Sequence, residues 1–484
     1  MVRAKMGKTY CHYSLCRLFS RVSISFSVML GLFAICAFPG FAADPNQADG
    51  TKSRQNSLTW VGYYDPALNY LSAKALLRFE SPMIERRLWL DEGLQLNTVN
   101  SGAVAVVDLN RNSGQFLLQG QNTDELEITY NGRLAPAGKP ESLSSETIVT
   151  NSEIQLDSFR FLSCIKNFYP HTGMDFGSIL LNISVPKEWN CLGSGILRSV
   201  RLQPELSTYV FDNGGAKGMS LVFGRFSQIG LIDAVIPVRL HGWPLFNYNW
   251  YFPKADITRI LTFYHERFGP LDVPELNILF RRGRHFAGVS YCGLIVLDVD
   301  ASWTSFSIHT RKNIRSDSPL AMFDAKIDVL SHEIAHQWWG GLISWKTPVE
   351  NWITEGLATY SSLISLRAWR GEKEYQRIIN RLRRQVKDYA DLGAPVDGFQ
   401  LLLSDRNPKV YQALVYGKPA LMLAALADKI GEMELCRRLR IILNDRRKNS
   451  VDTADFLRLL SGGDEQLQTL LKKWIYDRGL PKQL

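Results

Sequence analysis

Two histidines and a distant glutamate have the residue types and spacing to bind one metal ion. His332 and His336 stand four residues apart in the segment HEIAH, and Glu355 follows in the segment WITEG. Positions four apart lie on one face of a helix, so both imidazoles can contact the same ion. Two His and one Glu form a zinc ligand set that leaves a fourth position for water, which is typical of a catalytic zinc site.

The remaining glutamate of this motif, Glu333, could act as a base. Zinc lowers the pKa of the water that it binds, and Glu333 could take the proton of that water during attack on a carbonyl. We therefore predict one zinc ion held by His332, His336 and Glu355. The alternative is a pair of helical histidines in ordinary hydrogen bonds, and the position of Glu355 in WxxEG argues against it.

A further candidate, Tyr416, lies in the segment VYGKPA. Hydrolysis at a carbonyl passes through a tetrahedral intermediate whose negative oxygen needs a hydrogen-bond donor. The phenol of Tyr416 could be that donor. By itself, however, the pattern favours a half-buried aromatic residue that begins a helix.

The segment from His332 to Tyr360 resembles the aminopeptidase N family of zinc metallopeptidases, in the gluzincin clan. QWWGG follows the second histidine and WITEGLATY surrounds Glu355, close to the family patterns H-E-x-x-H-x-W-x-G and W-x-N-E-G-F-A-x-Y. Tyr416 in YGKP matches the family pattern Y-x-K-G, with Pro419 where glycine is usual. The resemblance implies peptide substrates and the oxyanion role for Tyr416.

The resemblance leaves the role of Glu350 open. This residue lies where the family often has an acidic side chain that holds a ligand imidazole, and such a partner fixes the tautomer and orientation of the ring. Glu350 could equally be an exposed loop carboxylate.

One stretch departs from the family pattern. Family members carry a G-x-M-E-N or G-x-M-E-Y element whose glutamate binds the free α-amine of the peptide. The aligned stretch here is AGVSYCGL, in which Gly288 and Tyr291 keep the frame and Ser290 replaces the glutamate. We predict that Gly288, Ser290 and Tyr291 contact the substrate. Because serine has no charge to pair with an ammonium group, recognition of the N-terminal amine should be altered.

The predicted fold class is α+β. Strand-like residues 58–240 predict an N-terminal antiparallel β-sandwich or saddle domain. Residues 246–401 resemble a thermolysin-like zinc catalytic domain, and residues 402–484 are predicted to form a short helical C-terminal part. The resemblance implies a divergent short family member, since many members continue into a large helical domain over the active site. Within the catalytic domain we expect a helix near 258–268, strands near 276–280 and 293–299, and a helix carrying the two histidines from about 324 to 339.

Residues 1–43 are predicted to be a signal peptide or an N-terminal membrane anchor. They combine basic residues, an apolar run and two small residues before residue 44. Five of them are basic and none is acidic, so the net charge falls from +9 to +4 without them. We expect an exported protein that is periplasmic or extracellular, or anchored to the membrane and facing outward.

The cysteines and the runs of basic residues say less about the cellular compartment than residues 1–43 do. Cys164 and Cys191 could form a disulfide in an oxidising compartment, although sequence cannot establish the pairing. Basic stretches at 377–387 and 437–448 are predicted to be solvated helix faces, with weak attraction to anionic membranes as the alternative. We find no nucleic-acid-binding motif and predict no nucleic-acid partner.

The favoured function is an exported zinc metallopeptidase, aminopeptidase-like but with altered amine recognition. One alternative is a zinc endopeptidase of the same architecture. Another is a non-catalytic, zinc-containing scaffold or binding protein. The presence of Glu333 together with the three predicted ligands favours catalysis, while the oligomeric state is left undetermined.

Overall fold

The computed structural model describes residues 56–100, 104–110, 114–134, 159–164, 167–172, 176–215, 218–242, 254–281, 288–298, 329–405, 408–447 and 449–481. All of these residues lie within one compact unit, Arg54–Leu484. The predicted leader, residues 1–43, lies outside the described residues.

The N-terminal region is built from strands. Its described strands are β1 (Ser57–Asp65), β2 (Tyr70–Trp89), β3 (Leu94–Asn100), β4 (Val104–Asn110), β5 (Gln115–Arg133), β6 (Phe159–Leu162), β7 (Ser178–Pro186), β8 (Asn190–Gly193), β9 (Ile196–Leu202), β10 (Leu206–Asp212) and β11 (Leu221–Gly224). One sheet has the order β3-β5-β2-β1-β7-β10-β9 with β4 on β5, and a second has the order β6-β11-β8. The predicted antiparallel arrangement holds except between β1 and β7, which are parallel.

Alternating apolar residues bury one face of each main strand. In β1, Leu58, Trp60 and Tyr64 are buried, as a period of two requires for a sheet with one covered face. The indole of Trp60 donates a hydrogen bond of 2.5 Å to the hydroxyl of Tyr130, so its polar atom is satisfied inside the core. Residues from both sheets share this core, which makes the region a β-sandwich.

The sheet of the catalytic region begins earlier than predicted. Its strands are β12 (Ser227–Ile232), β13 (Val238–Gly242), β14 (Leu276–Arg281), β15 (Gly288–Tyr291) and β16 (Leu294–Asp298), in the order β12-β13-β14-β16-β15. Helix α1 (Lys254–Phe268) connects β13 to the parallel strand β14. The predicted boundary at residue 240 is therefore wrong, because β12 and β13 belong to this second sheet. The helix near 258–268 and both expected strands are confirmed.

Helices make up most of the described chain after residue 329. They are α2 (residues 329–335), α3 (Asn351–Arg370), α4 (Glu372–Lys387), α5 (Gly398–Asp405), α6 (Pro408–Tyr411), a π-helix (Gln412–Gly417), α7 (Lys418–Ile430), α8 (Glu432–Asp445), α9 (Thr453–Ser461) and α10 (Glu465–Tyr476). Three 3₁₀ turns (Pro348–Glu350, Ala390–Leu392, Pro395–Asp397) and the short parallel pair β17 (Ser344–Trp345) and β18 (Ser450–Val451) lie between them. The helical C-terminal part is thus confirmed.

One helical stretch, Lys409–Ile430, is long and apolar enough to cross a membrane by composition. Its most apolar window is 83% buried inside the protein. A helix that is apolar on all sides and covered by protein is a core helix. We therefore interpret it as part of the hydrophobic core of the C-terminal part.

The structure gives contacts for the cysteines and for the basic stretches considered above. Cys164 and Cys191 are not bonded to one another in this structure, and the sulfur of Cys164 instead accepts a hydrogen bond from the hydroxyl of Ser220 at 3.6 Å. Several of the basic residues pair with neighbouring acids: Arg377 with Glu374, Arg437 and Arg438 with Glu434, Arg446 with Asp455, and Arg447 with Asp272. This pairing agrees with solvated helix faces.

Strand β15 lies at the edge of the catalytic sheet, where it meets the N-terminal region. Val289 of β15 packs in a small apolar cluster with Val222 and Phe226, which come from the N-terminal side. The edge strand is thereby held between the β-sandwich and the helix that carries the two histidines.

Candidate metal centre

Three side chains converge as the sequence predicts. The Nε2 atoms of His332 and His336 lie 3.1 Å apart. The Oε2 atom of Glu355, on α3, lies 3.3 Å from the first and 3.2 Å from the second. Among the described residues, these three form the cluster of His, Cys, Asp and Glu that could hold a metal ion.

Their spacing fits a zinc ion. Zn–N and Zn–O distances of about 2.0–2.1 Å in a tetrahedral site place neighbouring ligand atoms about 3.3 Å apart, close to the observed triangle. Two imidazoles and one carboxylate suit zinc among the divalent ions. The three residues therefore fit one zinc ion and leave the fourth position of a tetrahedron open.

A backbone carbonyl orients one of the imidazoles. The Nδ1 atom of His336 donates a hydrogen bond of 2.9 Å to the carbonyl oxygen of Trp339. Because a carbonyl only accepts, this bond fixes the tautomer and leaves Nε2 free to bind a metal. The turn that provides the carbonyl begins at residue 336, so helix α2 ends earlier than the predicted residue 339.

Of the two interpretations left open for Glu350, the structure favours the loop carboxylate. Its carboxylate accepts hydrogen bonds from the backbone nitrogen and the hydroxyl of Thr347, at 2.7 and 2.6 Å. Glu350 therefore caps the short turn that leads into α3. The sequence left this alternative open because a loop carboxylate and an imidazole partner have the same local pattern.

Buried hydroxyl groups join the helices behind the ligands. Ser331, next to the first histidine, lies 2.7 Å from the hydroxyl of Ser365 on α3 and 2.7 Å from that of Tyr264 on α1. The indole of Trp339 donates a 2.9 Å bond to Ser361. These bonds fix α2 against α3, and thus the two histidines against Glu355.

The electrostatics of the cluster favour a charged carboxylate. Burial opposes ionisation of Glu355, but the charge of His336 and hydrogen bonds from both imidazoles outweigh it and lower its pKa to about 2. Burial also acts to lower the pKa of His336, yet the charge of Glu355 raises it to about 9. Burial, with the neighbouring His336 charge, lowers the pKa of His332.

Glu333 lies beside the three ligands and is buried. Burial, together with the charge of Glu355, raises its pKa to about 7, although His336 opposes the shift. Strand β15 passes directly over this side chain. A Cβ atom at Gly288 would lie 2.7 Å from Cγ and 2.9 Å from Oε1 of Glu333. Gly288 is therefore the residue that lets the edge strand approach the carboxylate.

Tyr416 reaches the same cluster from the π-helix. Its ring stacks on that of His332, with centroids 5.8 Å apart. Burial and the adjacent Glu355 hold the pKa of Tyr416 well above its usual range, so its hydroxyl keeps a proton to donate. Tyr411 packs edge-on against Tyr416, and its hydroxyl accepts a 2.6 Å bond from Asn351 at the start of α3. π-helical turns often occur at functional sites.

A close contact between α3 and α7 allows Tyr416 to lie beside the three metal ligands. A Cβ atom at Gly356 would lie 2.5 Å from Cβ of Pro419. The glycine after Glu355 thus lets α7 pack tightly on α3. Pro419, the departure from the family pattern, fits against this glycine.

Sequence reasoning missed Gln337, which connects the site to the edge strand. Its amide nitrogen donates to the hydroxyl of Ser290 at 2.7 Å and to the carbonyl of Tyr291 at 3.1 Å. Its amide oxygen accepts from the backbone nitrogen of Gly293 at 2.8 Å. The only signal in the sequence was a polar residue between His336 and two tryptophans. Ser290 and Tyr291 are therefore held next to the C-terminal end of α2, where the metal ligands lie, as their alignment implied.

Comparison with known proteins agrees with this geometry. Residues 305–474 match the model of the peptidase family M1 domain. This match includes the three predicted metal ligands and Tyr416, and the chain is similar to the M1 peptidases over that stretch. The predicted aminopeptidase N-like, gluzincin relationship is thereby confirmed.

Individual M1 relatives are distant in sequence. A probable aminopeptidase 2 from Sulfurisphaera tokodaii is 20% identical over 80% of this chain and 49% of its own length. The thyrotropin-releasing hormone-degrading ectoenzyme of Rattus norvegicus is 26% identical over 46% of this chain and 21% of its own. The chain thus spans about half or less of the length of these curated relatives.

Solved M1 structures share the fold. A crystal structure of an M1 zinc metallopeptidase from Deinococcus radiodurans has a TM-score of 0.65 at 16% identity and covers 88% of this chain and 95% of its own. A related structure, also from Deinococcus radiodurans, is bound to a Tyr-Ser-Ala substrate, with a TM-score of 0.65 at 17% identity over 88% of this chain and 96% of its own. The α+β class with an N-terminal β-domain and a catalytic domain is confirmed.

Replacing Gly288 by alanine should displace Glu333. The added methyl group cannot fit at 2.7 Å from the glutamate side chain, so either the strand or the carboxylate must move. We expect kcat for peptide hydrolysis to fall by about 100-fold, the cost of a shift near 1 Å in a catalytic group. Bound zinc, measured by metal analysis, should be unchanged.

The matched control is Gly230→Ala on β12, the opposite edge of the same sheet. There the added Cβ would meet only the flexible side chain of Leu240, at 3.3 Å or more. Equal loss of activity in both variants would contradict a specific contact between Gly288 and Glu333.

Lys418, two residues after Tyr416, should make stability depend on pH. It is fully buried and donates a 2.5 Å bond to the carbonyl oxygen of Asp477. Burial lowers its pKa from 10.5 to about 8, although Asp477, Asp397 and Asp391 oppose the shift. Between pH 8 and 10.5 the unfolded chain therefore holds more protons than the folded protein, and stability rises with pH.

We expect the free energy of unfolding of wild type, relative to Lys418→Met, to increase by at most about 3 kcal/mol between pH 8 and 10.5. Below pH 8 the difference should be constant, since Lys418 is then charged in both states. Urea unfolding of both proteins at a series of pH values measures it. A difference that stays constant, or falls, above pH 8 would contradict the buried environment of Lys418.

Proposed function

We propose that this protein is an exported zinc metallopeptidase that hydrolyses peptide bonds, aminopeptidase-like but with altered recognition of the N-terminal amine. The observation that carries the proposal is the convergence of His332, His336 and Glu355 beside a buried carboxylate, Glu333, and a partly buried phenol, Tyr416. No ordinary structural zinc site needs those last two groups.

Each group has one task in this proposal. His332, His336 and Glu355 hold the zinc ion, which when bound polarises a water molecule and the substrate carbonyl. Glu333 accepts the proton of the attacking water and later gives it to the leaving amine. Burial raises the pKa of its carboxyl group above the usual range, which favours a group that can both take and release a proton.

Tyr416 donates a hydrogen bond to the oxyanion of the tetrahedral intermediate. Its raised pKa keeps it protonated, and its ring lies against a metal ligand. Removal of one such donor typically costs about 10²–10³ in kcat. The packing of Tyr411 and Asn351 holds the phenol in place before substrate arrives.

Peptides as substrates are supported by the relatives. One similar protein is named a probable aminopeptidase, and one structural neighbour is bound to Tyr-Ser-Ala. Altered amine recognition is supported by Ser290, which stands where the family has glutamate and is bonded to Gln337. An endopeptidase of the same architecture is the alternative that this serine also allows.

Zinc stoichiometry combined with a peptide library tests the proposal. We expect the purified protein to bind one zinc equivalent and to cleave peptides, with cleavage lost on chelation and restored by zinc. If the wild type binds a full zinc equivalent and cleaves nothing, the non-catalytic scaffold is correct instead. The position of the cleaved bond separates an aminopeptidase from an endopeptidase.

Export is supported by the basic and apolar composition of residues 1–43. Fractionation of producing cells, with N-terminal sequencing of the mature protein, tests it. A cytoplasmic protein that retains Met1 would contradict export without affecting the proposed chemistry.

A further inference from the structure

Gln337 makes three hydrogen bonds to one hairpin. It follows the metal ligand His336 directly and is 2% exposed. Its side-chain amide contacts Ser290 and Tyr291 at the end of β15, and Gly293 in the turn before β16. A single side chain therefore fixes the distance between the edge strand and the metal ligands.

These partners determine which way the amide points. The backbone nitrogen of Gly293 can only donate, so the atom of Gln337 that faces it must be the oxygen. The nitrogen then faces the carbonyl of Tyr291, which only accepts, and the hydroxyl of Ser290. Ser290 accordingly accepts a hydrogen bond from Gln337 and keeps its own proton to donate.

We propose that Ser290, held by Gln337, forms a neutral, hydrogen-bond-donating subsite for the group that precedes the scissile residue. The substrates would then be peptides in which the nitrogen of that residue is acylated, either by a blocking group or by a further residue. The inference rests on the proposed peptidase function and specifies its substrate class.

A free α-ammonium group and an acylated nitrogen differ in charge and in hydrogen-bonding capacity, and Ser290 suits only the second. An α-ammonium group has only donors and a full charge, and a serine offers no charge to balance it. Moving a charge out of water without a partner is costly. An acylated nitrogen is neutral, and the carbonyl oxygen of its acyl group is an acceptor that matches the free proton of Ser290.

Gln337 acts in this subsite as a positioning residue. It touches no substrate atom in the proposal and determines instead which hydrogen-bonding role Ser290 has. Glutamate at position 337 would still accept from Gly293 but could not donate to Ser290. The hydroxyl of Ser290 would then donate its proton to that carboxylate, and it would no longer be available to donate a hydrogen bond to the substrate.

Paired substrates test the inference with the full-length, zinc-loaded protein. They share the residue that the peptide library prefers and the same fluorogenic leaving group, and they differ only in a free or acetylated α-nitrogen. For wild type we expect kcat/KM to be about tenfold or more higher for the acetylated substrate. Ser290→Ala should lower that value by about 3- to 10-fold, the effect of one neutral hydrogen bond.

Two further variants distinguish a change in substrate specificity from a general loss of structure. Ser290→Glu introduces the missing charge and should shift the preference toward the free amine. Gln337→Glu should raise KM for the acetylated substrate more than it lowers kcat, whereas simple loss of structure would lower the zinc content as well.

The outcomes are distinguishable from failure of the proposed function. A wild type that cleaves the free-amine substrate as well as or better than the acetylated one overturns the inference, while the peptidase activity stands. An unchanged preference in Ser290→Glu overturns it too. If zinc-loaded wild type cleaves neither substrate nor any library peptide, the proposed function fails and the inference falls with it.

Discussion

Replacing Glu333 by glutamine should lower peptide hydrolysis by about 10²–10⁴-fold while the protein still binds one zinc ion. The amide has nearly the same shape, so the packing of Gly288 over it is preserved. It cannot accept the proton of the attacking water. Steady-state kinetics together with metal analysis of the same preparation measure both quantities.

A matched control for this substitution is Glu266→Gln. Glu266 is an exposed carboxylate on α1, outside the site, and its loss should leave both activity and zinc content at the wild-type level. Glu333→Gln with near wild-type turnover would mean that another group takes the proton. The proposed role of Glu333 would then have to be abandoned.

Replacing Glu355 by alanine should remove the zinc ion itself. Its carboxylate lies 3.2–3.3 Å from both imidazole nitrogens, and its pKa of about 2 keeps it charged at neutral pH. The variant loses one of three ligands and the negative charge of the cluster. Since loss of an outer partner already costs about 10–100-fold in metal affinity, we expect a decrease beyond about 100-fold. Competition with a chromophoric chelator measures it.

The matched control is Glu350→Ala, five residues earlier. Because the Glu350 carboxylate caps a turn through Thr347, its removal should leave zinc affinity unchanged. Equal loss of zinc from both variants would show that Glu350 supports a ligand after all. It would also contradict the geometry described above.

Together the two substitutions separate metal binding from catalysis. Glu333→Gln should abolish turnover and keep zinc, whereas Glu355→Ala should lose both. A scaffold protein would depend on Glu355 for folding or partner binding but would be indifferent to Glu333. The comparison therefore distinguishes the enzyme from its non-catalytic alternative.

The sequence by itself determined the metal site, since its geometry is largely local. Two histidines four apart on a helix must share a face, and the WxxEG segment placed Glu355 on the helix that follows. Family resemblance extended this reasoning to Tyr416. The expected strands and helix around the site were also correct, because apolar periodicity and turn residues act over a few neighbours.

Only the tertiary structure decided contacts between segments far apart in the chain. A period-two pattern cannot say which sheet a strand joins, and therefore β12 and β13 were assigned to the wrong domain. The roles of Glu350, Gln337 and Gly288 depend on which group lies opposite each side chain after folding. Those partners come together through core packing, in which the close approach of Gly356 to Pro419 is one determinant. Local sequence does not encode that packing residue by residue, and so these roles could be established only from the folded chain.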